Sequence, residues 1–231
     1  MAWRIAKIAL QILKWFLIVT VIWVILLRWI NPPFTFLMAQ RQVSLWFSDE
    51  KDKSIYKEWV DIEDMSKHMP IAVMSSEDDN FLTHHGFDFD AINRAVKYNE
   101  THKKKIGAST ISQQVAKNVF LFPSRNFIRK GFEAYFTVLI ELFWSKKRIM
   151  EVYLNVVEQN DNRFGVEAAA RHCYGISAKK MNRYQCARLA AVLPSPSRFS
   201  AKYPSGYVLL RQSQIALLIT YHPQYMYDAF K

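Results

Sequence analysis

Hydrophobic residues crowd the start of the chain and then thin into a helical rhythm. Residues 8–27 form about one bilayer-length of helix, interrupted only by Gln11 and Lys14. The strictly apolar part, 15–27, is short. Lys14 and Arg28 must therefore snorkel towards the two interfaces, where Trp15, Trp23 and Trp29 are placed as interfacial aromatics. A cleaved signal peptide is the competing reading, but no Ala-x-Ala site follows and Asn31-Pro32-Pro33 ends the helix instead. The pattern predicts an uncleaved single-pass anchor. Arg4, Lys7 and Lys14 lie on its N-terminal side, which places the N-terminus in the cytoplasm and everything after Pro33 outside.

Beyond the anchor, apolar residues recur at three- and four-residue spacing, while alternating strand patterns are few and short. This predicts a mostly α-helical body. The chain divides into a tail and anchor over 1–33, a membrane-proximal connector over 34–69, and a folded domain over 70–231. Residues 101–107, with Lys103, Lys104 and Lys105, read as an exposed loop. Pro194, Pro196 and Pro204 break up the region before a last helix starting near Gly206.

Composition adds two constraints. Lys and Arg number 31 against 20 Asp and Glu, a net charge of +11 in 231 residues. Such a surface suits an anionic partner: nucleic acid, acidic lipid or a phosphorylated substrate. The plainer alternative is solubility plus juxtamembrane charge. The only cysteines, Cys173 and Cys186, fit neither a zinc pattern nor Cys-x-x-Cys, so free thiols are expected, although an oxidising compartment permits a disulfide.

Three clusters carry candidate chemistry. Residues 75–90 read SSEDDNFLTHHGFDFD, where Glu77, Asp78 and Asp79 crowd beside Phe81, His84 and His85. Like charges and a nearby apolar wall both raise carboxylate proton affinity, which makes a usable base near neutral pH. A solvated acidic turn, or Asp78 capping a helix, is the structural alternative. The two histidines lack metal-ligand spacing. Residues 107–122 read GASTISQQVAKNVFLF. Thr110 with Gln113 is a capping-box pattern, and Ile111, Val115, Val119 and Phe122 share one face. The opposite face carries Thr110, Gln113, Gln114 and Lys117: directional hydrogen-bonding groups and one cation, beside a helix N-terminus able to seat phosphate. From Arg125 a second long helix opens, with Arg129, Lys130, Glu133, Thr137 and Glu141 on one face. This face is either a row of exposed ion pairs or a cationic cradle with a carboxylate at its rim. Residues 145–155 read as mainly structural.

Taken in order, these blocks resemble the glycosyltransferase family of peptidoglycan polymerases, in its monofunctional single-anchor form. The resemblance rests on Glu77-Asp78 with Phe81, His84 and Gly86-Phe87-Asp88, and on Gly107 to Gln114 with Lys117-Asn118. It continues through Arg129-Lys130-x-x-Glu133, Lys147-x-Ile149, Glu151-x-Tyr153-Leu154-Asn155 and Phe164 to Ala169. Two positions depart from the family pattern: Gln185 stands where an acidic residue is usual, and Ala108 where a second glycine is frequent. The resemblance implies a mostly α, lysozyme-like two-lobed glycosyltransferase domain behind one N-terminal transmembrane helix. It implies a place in the bacterial inner membrane, with the catalytic domain periplasmic. The expected substrates are lipid II and the growing lipid-linked glycan, joined with inversion and release of undecaprenyl pyrophosphate. Glu77 is expected as the base and Glu133 as its partner at the donor. Lys117, Arg125, Arg129, Lys130 and Arg94 are expected at the pyrophosphate. Ser109, Thr110, Gln113, Gln114 and Asn118 are expected at sugar and phosphate oxygens, with Asp78 and Phe81 also at the substrate. No obligatory cofactor is implied; a divalent cation (Mg²⁺ or Mn²⁺) can share the pyrophosphate charge, although no dedicated ligand set stands out. Partners are then the membrane and cell-wall synthesis or division proteins, not nucleic acid.

Rival readings share parts of this pattern. A peptidoglycan-cleaving enzyme would keep the fold and the glutamate but leave the basic cluster unexplained. A noncatalytic membrane scaffold would need only the basic surface. A transpeptidase is excluded, because Ser54-x-x-Lys57 and Ser177-x-x-Lys180 lack the companion motifs and the chain has no room for that domain.

Overall fold

The computed structural model describes every residue except 1, 50, 51, 125, 160 and 161. Helix α1 (Ala2–Leu26) is long and apolar enough to cross a bilayer, consistent with single-pass anchoring. It does not stand alone. Its residues Phe16, Thr20, Trp23, Val24 and Leu27 recur at helical spacing and face the body. The Thr20 and Tyr135 hydroxyls are 2.7 Å apart. Phe16 packs edge-on against Phe132 at 5.8 Å and Trp23 against Phe120 at 5.1 Å. Trp144 Nε1 donates to the Val24 carbonyl at 2.8 Å, and Arg148 Nη2 donates to the Leu27 and Ile30 carbonyls at 3.1 and 3.0 Å. These carbonyls lie at the helix's C-terminal end, where no intrahelical donor remains, so a guanidinium is a fitting partner.

Helix α2 (Phe36–Trp46) follows, opened by Thr35, whose hydroxyl accepts from Met38 N at 3.3 Å. Residues 55–66 are tied to the rest of the body. Strand β1 (Tyr56–Lys57) pairs in parallel with β2 (Arg163–Phe164). The fully buried Asn155 amide exchanges two 2.9 Å hydrogen bonds with the Val60 backbone.

Helix α3 (His68–Glu77) is the centre of the molecule: every residue from Met69 to Ser75 is buried. A helix apolar on all sides is stable only when surrounded, and Pro70 is tolerated because the first turn has no intrahelical acceptors for its missing N–H. Helix α4 (Phe89–Thr101) lies at the surface with only Ala95 buried. Helix α5 (Ile111–Phe120) packs against α6 (Phe127–Phe143) and α7 (Lys146–Val156). Helix α8 (Val166–Tyr174) follows β2. Helices α9 (Arg183–Val192) and α10 (Gly206–Tyr221) pack on each other and on α3, and a short α11 (Gln224–Asp228) closes the chain. The helices thus fall into two packing groups, α3 with α9 and α10, and α5 with α6 and α7.

Two capping boxes set helix starts. Thr110 and Gln113 exchange side-chain and backbone hydrogen bonds at the head of α5, as their spacing predicts. Asn182 and Gln185 do the same at α9, with Gln185 Oε1 accepting from Asn182 N at 2.9 Å. The amide at this family departure closes the box as a carboxylate would. Phe122 differs from expectation: α5 ends at Phe120, so Phe122 leaves the apolar face, is 67% exposed and stacks on Phe36 at 4.3 Å. Neither Cys173 nor Cys186 is in a disulfide; Cys186 is buried, and burial pushes its pKa up to about 12.

Gly165 (φ +84°) turns β2 into α8, and a Cβ there would lie 2.8 Å from the Asn155 carbonyl oxygen. Backbone cannot yield cheaply, and the conformation itself disfavours side chains. We expect Gly165→Ala to cost about 2 kcal/mol or more, lowering the melting midpoint of the detergent-solubilised protein by roughly 4–8 °C.

Candidate active site

Glu77 is the last residue of α3 and opens on a pocket of about 200 Å³ lined also by Asp78, Asp79, Arg94, Ser109 and Thr110. Gln114 Nε2 donates to its Oε2 at 3.0 Å, and Gln114 Oε1 in turn accepts from the Tyr153 hydroxyl at 3.2 Å. Tyr153 is fully buried, so its hydroxyl sets which way the amide faces. Loss of water raises the Glu77 pKa above the usual carboxylate range; hydrogen bonds from Gln114 and Ser76 and the Arg211 charge oppose this, and Asp78 adds a lesser upward push. Desolvation, more than the neighbouring acid, makes this carboxylate a base. Its seat at a helix C-terminus, where carbonyl dipoles repel negative charge, works in the same direction.

Asp78 has a different task. It is buried, with Ile111 N donating to its Oδ2 at 2.9 Å and His84 Nε2 3.0 Å from both oxygens. Gly86 N donates to His84 Nδ1 at 3.1 Å, so this tautomer carries its proton on Nε2 and gives it to Asp78. Asp78 therefore ties the catalytic turn to the positive end of α5. Gly86 accepts from Thr110 Oγ1 at 2.7 Å, and a Cβ on Gly86 (φ +90°) would meet Thr137 Cγ2 at 2.8 Å.

The cations gather one turn further along α5. Lys117 and Asn118, with Arg129, Ser124, Leu37 and Gln40, line a second pocket of about 450 Å³. Glu133 is 3% exposed and held between Arg129 Nη1 at 2.6 Å and Lys130 Nζ. The Arg129 Nε is buried without a hydrogen-bond partner among the described residues. Lys117 keeps an accessible side chain in the open pocket, yet its ammonium pKa is lowered, first by lost water, then by Arg129 and Lys130; Glu133 and, more weakly, Glu77 pull it back up. Glu77 and Lys117 thus feel each other's charge, and Gln114 and Lys117 are one turn apart on one helix. The Glu77 pocket and the cationic pocket are thus linked along α5. An excess of closely spaced positive charge with an orphaned donor is a site prepared for a polyanion.

The structure redistributes several expected roles. Phe81, expected at the substrate, is 0% exposed and lies beneath Lys146, whose ammonium is 4.6 Å from the ring centroid; it packs the core. Thr110 and Gln113 are buried and committed to the capping box, so they build the helix end and do not offer hydrogen bonds to a ligand. Gln114 orients Glu77. Arg94 lines the Glu77 pocket, apart from Lys117 and Arg129. Arg125 lies outside the described residues. Among the described residues, no group of three or more His, Cys, Asp or Glu side chains is placed to hold a metal ion. Tyr153 stands in a stretch of α7 that reads as structural, and its buried position conceals a hydroxyl that reaches Gln114.

A desolvated carboxylate and a cationic pocket thus lie along one helix of a mostly helical body. The transglycosylase family model matches residues 46–219, so the chain belongs to the transglycosylase family, whose members are glycosyltransferases with a lysozyme-like domain. It is similar to three proteins called biosynthetic peptidoglycan transglycosylase. That of Pseudomonas fluorescens (strain SBW25) is 49% identical over 206 residues, covering 89% of this chain and 85% of the relative. That of Bdellovibrio bacteriovorus (strain HD100) is 53% identical, covering 83% and 76%. That of Bacteroides thetaiotaomicron is 47% identical, covering 96% and 89%.

A base must be ionised to act, so glycosyl transfer should fall as pH drops through the raised pKa of Glu77. Gln114→Leu removes a hydrogen bond that favours the charged form, raising that pKa further. We expect the acid limb of the pH profile of kcat/KM to move to higher pH, with much of the lost rate recovered in alkaline buffer.

Proposed function

We propose that this chain is a peptidoglycan glycosyltransferase that polymerises lipid II into glycan strands. The observation that carries the reading is Glu77, stripped of water and held by Gln114, one turn along α5 from Lys117, which lines a cationic pocket with Arg129. Glu77 takes the proton of the acceptor sugar's 4-hydroxyl as that oxygen attacks the anomeric carbon of the donor. The bond from that carbon to the pyrophosphate oxygen breaks on the opposite face, inverting the centre and releasing undecaprenyl pyrophosphate. Pyrophosphate is a good leaving group already; what it needs is positive charge where negative charge accumulates. Lys117, Arg129 and Lys130 supply it, and Glu133 holds Arg129 and Lys130 in place and favours the charged form of Lys117. A divalent ion arriving with the pyrophosphate would add to the same charge. A wall-cleaving enzyme meets no pyrophosphate and leaves the second pocket without a ligand.

The membrane location follows from α1. Phe127 (96% exposed), Ile128 (74%) and Leu142 (70%) turn apolar surface outwards on α6, the helix that docks against α1. Thr20 and Phe16 lie about 9 and 15 Å below the end of α1, counting 1.5 Å per residue, and they meet Tyr135 and Phe132. The first half of α6 then lies close to the membrane, on the side from which a lipid-borne substrate arrives. Basic residues before the span put the body in the periplasm of an inner-membrane protein.

We expect Glu77→Gln to abolish lipid II polymerisation, a loss on the order of 10²–10⁴-fold, while the melting midpoint stays at the wild-type value. Near wild-type turnover by that variant would refute the base assignment. Lys117→Ala should slow polymerisation by on the order of tenfold or more, matching about 1.5–3 kcal/mol for a hydrogen bond to a charged group. Clearing of purified cell walls in a parallel assay would favour the cleaving alternative.

A further inference from the structure

The last turn of α3 is held from three sides. Glu77 accepts from Gln114 of α5, and Ser76 Oγ donates to the Ala190 carbonyl of α9 at 3.2 Å. The third tie has no part in the reaction described above. Ser75 Oγ lies 2.7 Å from Nε2 of His222, the residue that ends α10, and 2.9 Å from the Ile71 carbonyl. A hydroxyl has one proton and a carbonyl can only accept. With its proton on Nε2, His222 donates to the Ser75 oxygen while Ser75 donates to the Ile71 carbonyl.

We propose that His222 is a positioning residue for Glu77, acting through Ser75. The inference rests on Glu77 being the base. Helix ends fray because their last carbonyls lack partners, and Glu77 is the final residue of α3, with Asp78 already out of the helix at φ −163°. Ser75 stands two residues before the base, on the wall of the same pocket. The imidazole, fixed at the far end of a helix that packs along α3, holds that turn closed. Releasing it gives the carboxylate room to drift from the acceptor hydroxyl, and an ångström of drift suffices to slow a chemical step.

The test uses purified full-length protein and lipid II. His222→Leu and Ser75→Ala should each lower kcat by roughly ten- to a hundredfold, the loss typical of a misplaced group, with KM nearly unchanged. His222→Gln, whose amide N–H reaches the place of Nε2–H, should recover most of the rate. The double variant should be no slower than either single one, because the two act as one contact. Amide exchange at Asp78, whose N–H donates to Met74 O at 2.8 Å, should quicken in both single variants while α10 amides stay protected. A folded His222→Leu with wild-type kcat, a His222→Gln as slow as His222→Leu, or additive losses would overturn the proposal. If His222→Leu does not fold, Ser75→Ala decides through the same kcat and exchange readouts. Glu77→Gln separates the two levels. If it is inactive while His222→Leu is fully active, only the tie is lost. If it is active, the base assignment and this inference fall together.

Discussion

One carboxylate deprived of water organises this protein. Glu77 cannot hold a charge comfortably at the end of α3, and the structure answers with neutral hydrogen bonds, the shorter of them from Gln114. That restraint is chemically sensible: an arginine in its place would stabilise the carboxylate and blunt its basicity. Gln114 must be aimed, which the buried Tyr153 hydroxyl does, and it must be placed, which the capping box at the head of α5 does. Asp78, one residue on, takes the opposite role, accepting hydrogen bonds from the N-terminus of α5 and from His84. Adjacent acids thus have different duties because one meets a helix's negative end and the other a positive end.

The cationic pocket is built on the same helix and its neighbour. Lys117 from α5 and Arg129 and Lys130 from α6 repel one another, and Glu133, buried between the last two, makes the grouping tolerable. A pocket of net positive charge still results, with the Arg129 Nε left over. Such an arrangement binds an anion more strongly than it stabilises the protein, since the charges gain full compensation only when a ligand arrives.

Helix α6 links this chemistry to the anchor. Its polar face carries Arg129, Lys130 and Glu133, while its other face meets Phe16 and Thr20 of α1 and turns Phe127 and Ile128 outwards. Helix α1 is thereby part of the folded body. Docking through aromatic rings, the Trp144 indole and the Arg148 guanidinium sets the height of the cationic pocket relative to α1.

Much of this was legible in the chain itself. The apolar run of α1, the capping box at the head of α5 and the start of α10 at Gly206 follow from local periodicity and from motifs a few residues long. The places where side chains end up were decided by packing between distant segments. Phe81 and Arg94 each belong to a readable motif, but whether a side chain enters the core or a pocket depends on which helix lies above it. Tyr153 reaches Gln114 across 39 positions, and His222 reaches Ser75 across 147. Sequence spacing encodes neighbours on one helix, at three or four residues apart; it carries no distance between helices. Local hydrogen bonding therefore determined the elements, and only the burial of α3 among its partners determined which of their residues became the site.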